Sequence, residues 1–185
     1  QGLWHLVDQY SPYPEAYSGT RSWWYGQDST GNYNSGTANS GSLTSPPLYI
    51  PASGYYLRFN YLYTTETQGE NYDRRCVQVS VDGGPYTTVH CLSDDGMGWW
   101  HSSPALDLSA YADHIVRVRF HFDTVDQYYN DFRGWYVDDF SITNTPPSSC
   151  NNWGEPNDTP AAATPIAYGE MEEQAICPGG DRDFF

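Results

Sequence analysis

The sequence predicts an all-β protein, an antiparallel sandwich of short strands. Three observations predict it. Apolar residues recur at every second position in several runs, the spacing that gives a strand one buried and one wet face. Gly, Pro, Asp and Ser gather between those runs, where the chain must turn. No stretch of about 12 residues or more carries a 3.6-residue apolar period, so no long helix is expected.

The elements follow in order. After a turn at Pro51–Gly54, Tyr55, Leu57, Phe59 and Tyr61 alternate with Tyr56, Arg58 and Asn60. Val77, Val79 and Val81 alternate with Gln78 and Ser80 and run into Asp82-Gly83-Gly84-Pro85, a hairpin signal. A further turn is expected at Asp94-Asp95-Gly96, and Leu106–Ala112 has room for one short helical turn. Val116, Val118, Phe120 and Phe122 then alternate with Arg117, Arg119 and His121, which take the wet face. In the last strand Phe140 and Ile142 are expected to face the core. Strict alternation would turn Asp138 inward with them. A carboxylate buried there needs a cation, backbone N–H donors, an Arg such as Arg133, or a bulge that turns it away.

Four cysteines are present, none in a C-x-x-C pair. A two-residue turn at Gly83-Gly84 sets Cys76 opposite Cys91, and a disulfide is expected between them. That register makes them a hydrogen-bonded pair, the less comfortable position for a bridge, which leaves room for a longer turn or a bulge to shift it; the bridge is expected in either case. Cys76 shares parity with Gln78 and Ser80, so the bridge is expected on the wet face. Cys150 and Cys177 then pair by default. Disulfides, acidity and a Tyr-, Asn-, Ser- and Gly-rich composition place the chain in an oxidising, extracellular setting.

Charge narrows the function. Asp and Glu number 23 against 8 basic residues, all Arg, for a net charge of −15. That balance speaks against a general nucleic-acid binder and against docking on anionic membranes. No apolar run reaches the about 18 residues of a membrane-spanning helix. No charged-then-apolar leader opens the sequence, which is read as a signal peptide already removed or lying outside it. A composition break at Asn144-Thr-Pro-Pro-Ser-Ser149 reads as a linker. The expected organisation is a domain over 1–143, a linker over 144–150 and an incomplete second unit over 151–185, too short for a core of its own.

Two resemblances bear on that organisation. Leu3-Trp4-His5, Ser22-Trp23-Trp24-Tyr25-Gly26, Gly41–Pro46, Tyr56–Phe59, Glu66 with Tyr72-Asp73, Val79–Gly84 and Gly134-Trp-Tyr-Val-Asp-Asp-Phe140 occur in order along 1–143. This segment resembles the MAM-like jelly-roll domain in the tails of immune-inhibitor-A-type bacterial secreted peptidases. Glu155-Pro-Asn-Asp158, Ala161–Ile166 and Pro178–Phe184 resemble the opening of a bacterial pre-peptidase C-terminal domain. Both families are accessory modules, so the resemblance implies a secreted, multidomain parent and no catalysis by this chain.

Similar jelly rolls often hold structural calcium, and hard oxygen donors suit it. The acids expected to gather around such an ion are Glu66, Asp73, Asp138 and Asp139. Asp123, Asp126 and Asp131 read as a solvated acidic loop. The five histidines show no ligand spacing, Gly-x-Ser-x-Gly is absent, and no acid pair suggests glycoside hydrolysis. The adjacent pairs Trp23-Trp24 and Trp99-Trp100 must split across a strand, one ring of each facing outward. Trp24 and Trp100, with the loop residues Tyr33, Tyr128 and Tyr129, are the candidate rings for a sugar or a protein surface.

Three functions fit this reading. The first is a non-catalytic extracellular accessory module, stabilised by calcium and contacting other domains of its parent or a surface glycan. The second is a structural subunit of an extracellular assembly, its C-terminal tail adding a strand to a neighbouring subunit. The third is a carbohydrate-binding adhesin or lectin.

Overall fold

A computed structural model of the chain describes residues 2–66, 72–93 and 96–144. Among them lie β1 (Trp4–Asp8), β2 (Arg21–Tyr25), β3 (Ser40–Thr44), β4 (Leu48–Ile50), β5 (Tyr56–Thr64) and β6 (Arg74–Val81). There follow β7 (Tyr86–Cys91), β8 (Trp100–Ser102), β9 (Leu106–Asp107), a 3-10 turn at Ser109–Tyr111, β10 (His114–Asp123) and β11 (Gly134–Thr143). Residues 145–185 lie outside the described residues. With them lie the rest of the expected linker, the second unit and its strand donation, Cys150 and Cys177.

Two antiparallel sheets face each other as a jelly-roll sandwich. The front sheet runs β1-β2-β11-β5-β8, with β9 pairing the other end of β5. The back sheet runs β3-β10-β6-β7, with β4 pairing the start of β10. The alternation read from sequence fixes what they share. Leu57, Phe59, Tyr61 and Tyr63 from β5 meet Val77, Val79, Val116, Val118, Phe120 and Phe122 from the back sheet. Trp4, Tyr25 and Trp135 close the same core edge-to-face, at 5.5 and 5.3 Å from the Trp4 ring. Each such side chain contributes roughly 1.5–3 kcal/mol by leaving water. Gly134 permits the start of β11: its φ is +103°, and a Cβ there would sit 2.1 Å from the Tyr25 carbonyl oxygen.

The expected inward Asp138 is corrected by a bulge. Pairing of β11 with β5 shifts by one residue between Asp138 and Ser141, and Asp139 has a φ of +48°. Before the bulge Trp135 and Val137 face the core. After it Ile142 packs on the same core, and Phe140 reaches the Phe120 ring at 6.1 Å. Asp138 therefore takes the outer face of the front sheet.

The β6–β7 hairpin turns at Asp82-Gly83, both at positive φ, and the Gly84 N–H donates to the Val81 carbonyl at 2.8 Å. The turn thus sits one residue earlier than the expected Gly83-Gly84. The pairing shifts by one residue between the turn and the Ser80/Tyr86 pair and by one more between Val77 and Gln78. The two shifts together restore the pairing of Cys76 with Cys91, which form the expected disulfide. Because the Leu92 N–H donates to the Arg75 carbonyl, the bridge occupies the neighbouring non-hydrogen-bonded pair, with a Cα–Cα distance of 4.0 Å. Cys76 is buried and Cys91 exposed, so the bridge reaches further in than the surface position expected for it.

Candidate functional site

The outer face of the front sheet carries a second aromatic cluster. Val7, Trp24, Leu62 and Tyr136 are buried there, with Tyr13 and Trp100 packed against them. Trp24 and Tyr136 stack with centroids 5.5 Å apart and planes 6° apart. The β1–β2 connection, residues 9–20, lies over this face. Tyr13 covers Trp24, and Tyr17 meets Trp100 edge-on at 5.8 Å. Asp138 and Asp139 hold that connection down. Asp138 Oδ2 accepts the backbone N–H groups of Tyr17 and Ser18 at 2.8 and 3.2 Å. Asp139 Oδ1 accepts the Ser18 hydroxyl at 2.7 Å. Arg133 pairs with Glu15 of the same connection at 2.7 Å, and the Trp24 indole N–H donates to the Arg133 carbonyl at 2.7 Å.

Two sequence expectations change here. Trp24 does face away from the main core, but it is fully buried and offers no ring to a ligand. Trp100 is partly covered in the same way, and the exposed member of each pair is Trp23, at 42%, and Trp99, at 57%. Asp138 and Asp139 do not join Glu66 and Asp73. Asp138 pairs with Asn60, six residues before Glu66 along β5 and its extension, about 20 Å at strand rise.

Glu66 and Asp73 meet at the end of the sandwich where β5 and β11 exchange Thr64 and Gly134. The Asp73 N–H donates to the Glu66 carbonyl at 2.9 Å, and the Glu66 N–H returns to Asp73 Oδ2 at 3.1 Å. The Tyr33 hydroxyl donates to the same Oδ2 at 2.5 Å. Tyr33 is therefore a buried anchor, contrary to its expected place among the surface rings. The Tyr33 hydroxyl also lies 3.5 Å from the Tyr129 carbonyl, which brings in the β10–β11 loop, residues 124–133. Thr124 and Asn39 tie that loop to the start of β3 through mutual backbone and hydroxyl bonds of 3.0–3.1 Å.

Three buried oxygens at this end have no hydrogen-bond partner among the described residues: Asp73 Oδ1, Glu66 Oε2 and Asn130 Oδ1. Their residues are only 4%, 9% and 1% exposed. Burial pushes the Asp73 carboxyl up to about 7, although the Tyr33 hydrogen bond favours its charge. Burial, then Asp126, pushes Glu66 up as well. One oxygen of each carboxyl group and the amide oxygen thus lack donors among the described residues, and hard oxygens of this kind are the class that could hold a divalent cation. Directly beside Asn130 in sequence, Tyr128 and Tyr129 present exposed rings, as expected for them. Tyr33 and Asn130 were the parts that residue spacing could not reveal, since neither belongs to a run of acids.

The chain matches no protein-family model and no curated protein. Among solved structures it is similar to TmCBM61 in complex with β-1,4-galactotriose, at 16% identity over 76% of this chain and 87% of that one, with a TM-score of 0.43. It is also similar to a family 35 carbohydrate binding module from Clostridium thermocellum, at 17% identity over 75% of this chain and 98% of that one, with a TM-score of 0.37.

Proposed function

We propose that the domain is a non-catalytic, extracellular binding module that offers exposed aromatic rings to a glycan, on loops ordered by a calcium ion. The observation that carries this reading is that Glu66, Asp73 and Asn130 each bury an oxygen without a partner among the described residues, while Tyr128 and Tyr129, just before Asn130 in the β10–β11 loop, face solvent. Asp73, Glu66 and Asn130 would hold the ion through side-chain oxygens. The ion would neutralise the two carboxylates and fix the loop, so that less ordering remains to be done on binding. A flat phenol then meets the apolar face of a sugar ring, with neighbouring hydroxyl contacts for orientation. The Cys76–Cys91 disulfide supports an oxidising compartment. Among the described residues no helix is long and apolar enough to cross a membrane.

In this reading the module serves a larger secreted protein, as its resemblance to peptidase tails implies. The parent gene should then encode a catalytic domain.

A polysaccharide array read with calcium and again with EDTA tests the ligand. Binding that needs calcium and falls at least tenfold in Tyr128→Ala/Tyr129→Ala supports the proposal. Binding indifferent to both treatments, or no binding to any glycan, overturns it.

A further inference from the structure

Charge is segregated between the two sheets. The five back-sheet strands hold four Arg, three His and one acid, Asp123, in a chain of net charge −15. Arg75 turns inward, its guanidinium 3.6 Å over the Tyr63 ring. The others do not. Strand alternation puts Arg117, Arg119 and His121 in a row on the outer face of β10, successive members about 7 Å apart. Cross-strand pairing sets Gln78 beside Arg119 and Arg74 beside Asp123 on β6. Arg74 and Arg117 are exposed.

Arg119 is held in place by its neighbours. Its guanidinium donates twice to Gln78 Oε1, at 2.8 and 2.5 Å, and lies 3.9 Å over the Tyr86 ring. An open groove of about 770 Å³ begins at Arg119 and His121 and passes Leu43 and Thr44 at the rim of the back sheet. It ends against Trp4 and the half-exposed Trp23.

We propose that this face, with the Trp23 groove at its edge, binds an acidic polysaccharide, one whose sugars carry carboxylate or sulfate groups. The rest of the molecule repels polyanions, so a face that collects cations against that trend selects a partner of opposite charge. Guanidinium groups at regular intervals suit anionic groups repeated along a polymer. Trp23 supplies the apolar platform that a sugar ring needs and an acidic peptide does not. Three Arg are too few to hold duplex nucleic acid against the field of the remaining acids. The site shares no residue with the calcium-ordered loop end and does not depend on it.

The test is titration calorimetry of the intact chain with polygalacturonate, dextran sulfate and uncharged dextran. Binding to an acidic polymer and not to dextran is expected, weakening steeply between about 50 and 500 mM salt. Arg117→Ala/Arg119→Gln should weaken it at least tenfold and Trp23→Ala several-fold, while Trp99→Ala, at an exposed ring just before β8 of the front sheet, leaves it unchanged. Arg74→Ala/Arg117→Ala, confined to exposed side chains, should also weaken binding with the melting temperature unaltered. Binding to neither acidic polymer, equal binding to dextran or to duplex DNA, or indifference to the Arg variants overturns the proposal. So does sedimentation showing that the same Arg face is buried between two copies of the chain.

Discussion

Tyr33 and Asp73 meet inside the protein, phenol donating to carboxylate at 2.5 Å, although 40 positions separate them in sequence. The bond joins the β2–β3 connection to the residue just before β6, and the Tyr129 carbonyl beside it adds the β10–β11 loop. One Asp73 oxygen thereby accepts two hydrogen bonds, from the Tyr33 hydroxyl and the Glu66 N–H. Its other oxygen has no partner among the described residues.

That asymmetry gives the first prediction. Calcium at about 100 times its dissociation constant should stabilise the fold by about 2.7 kcal/mol, a rise of about 5–10 °C in melting temperature. Asp73→Asn and Asn130→Ala should each lose that rise. Asp138→Ala should keep it, because Asp138 clamps residues 9–20 at the other part of the front sheet. Scanning calorimetry with and without EDTA decides between the two acid groupings.

The adjacent tryptophans should separate cleanly. Trp24→Ala should cost about 3–5 kcal/mol in urea unfolding, because it empties the stack against Tyr136 and Tyr13. Trp23→Ala, at a half-exposed rim, should cost under about 1 kcal/mol. Equal losses would mean that the 9–20 connection does not seal the outer face.

The hairpin bridge closes a 15-residue separation. Replacing both Cys76 and Cys91 by Ser should therefore cost roughly 3 kcal/mol at most. The check is a pair of urea curves on wild type and variant under non-reducing conditions. An unfolding midpoint that does not move would show that the unfolded hairpin was already constrained.

Burial, and next the neighbouring Arg119, hold the His121 imidazole below the ordinary histidine range, while Asp123 opposes them. Ser42 shares a 3.0 Å hydrogen bond with its Nδ1. The fold thus favours the neutral ring. Its contribution is complete above the unfolded value of about 6.5 and is lost as pH falls through the lower folded value. His121→Gln should flatten that part of the acid limb in melting temperatures measured between pH 7 and pH 5. An unchanged slope would assign the acid limb to other groups.

How much of this was legible in the sequence depends on the range of the interaction. The facing of Leu57, Val79 and Phe120 follows from alternation alone, since one burial decision repeats along a strand. The outward turn of Trp24 follows the same way. Its cover does not, because where residues 9–20 land is decided by contacts of Tyr13 and Tyr17 with strands far along the chain. Glu66 and Asp73 were grouped, together with Asp138 and Asp139, by analogy with similar jelly rolls. Tyr33 and Asn130 were not, since a tyrosine and an asparagine in loops have many equivalent surface places. Asp138 and Asp139 were misplaced by one added residue in β11, which periodicity counted as part of the alternation.

That added residue has a consequence for how the strand tolerates change of length. Removing Asp139 would leave Trp135, Val137, Phe140 and Ile142 at strictly alternating positions, all toward the core, with Tyr136, Asp138 and Ser141 all away from it. The pairing with β5 on either side already differs by that one residue and would become continuous. Most single-residue deletions in a strand invert every side chain beyond them. At this position the deletion removes the hydrogen bonds that Asp139 makes to Ser18, Asn60 and the Asp138 carboxylate, and leaves the facing of the later residues as it is. The last strand can therefore lengthen or shorten by one residue at Asp139 while the core keeps the same side chains.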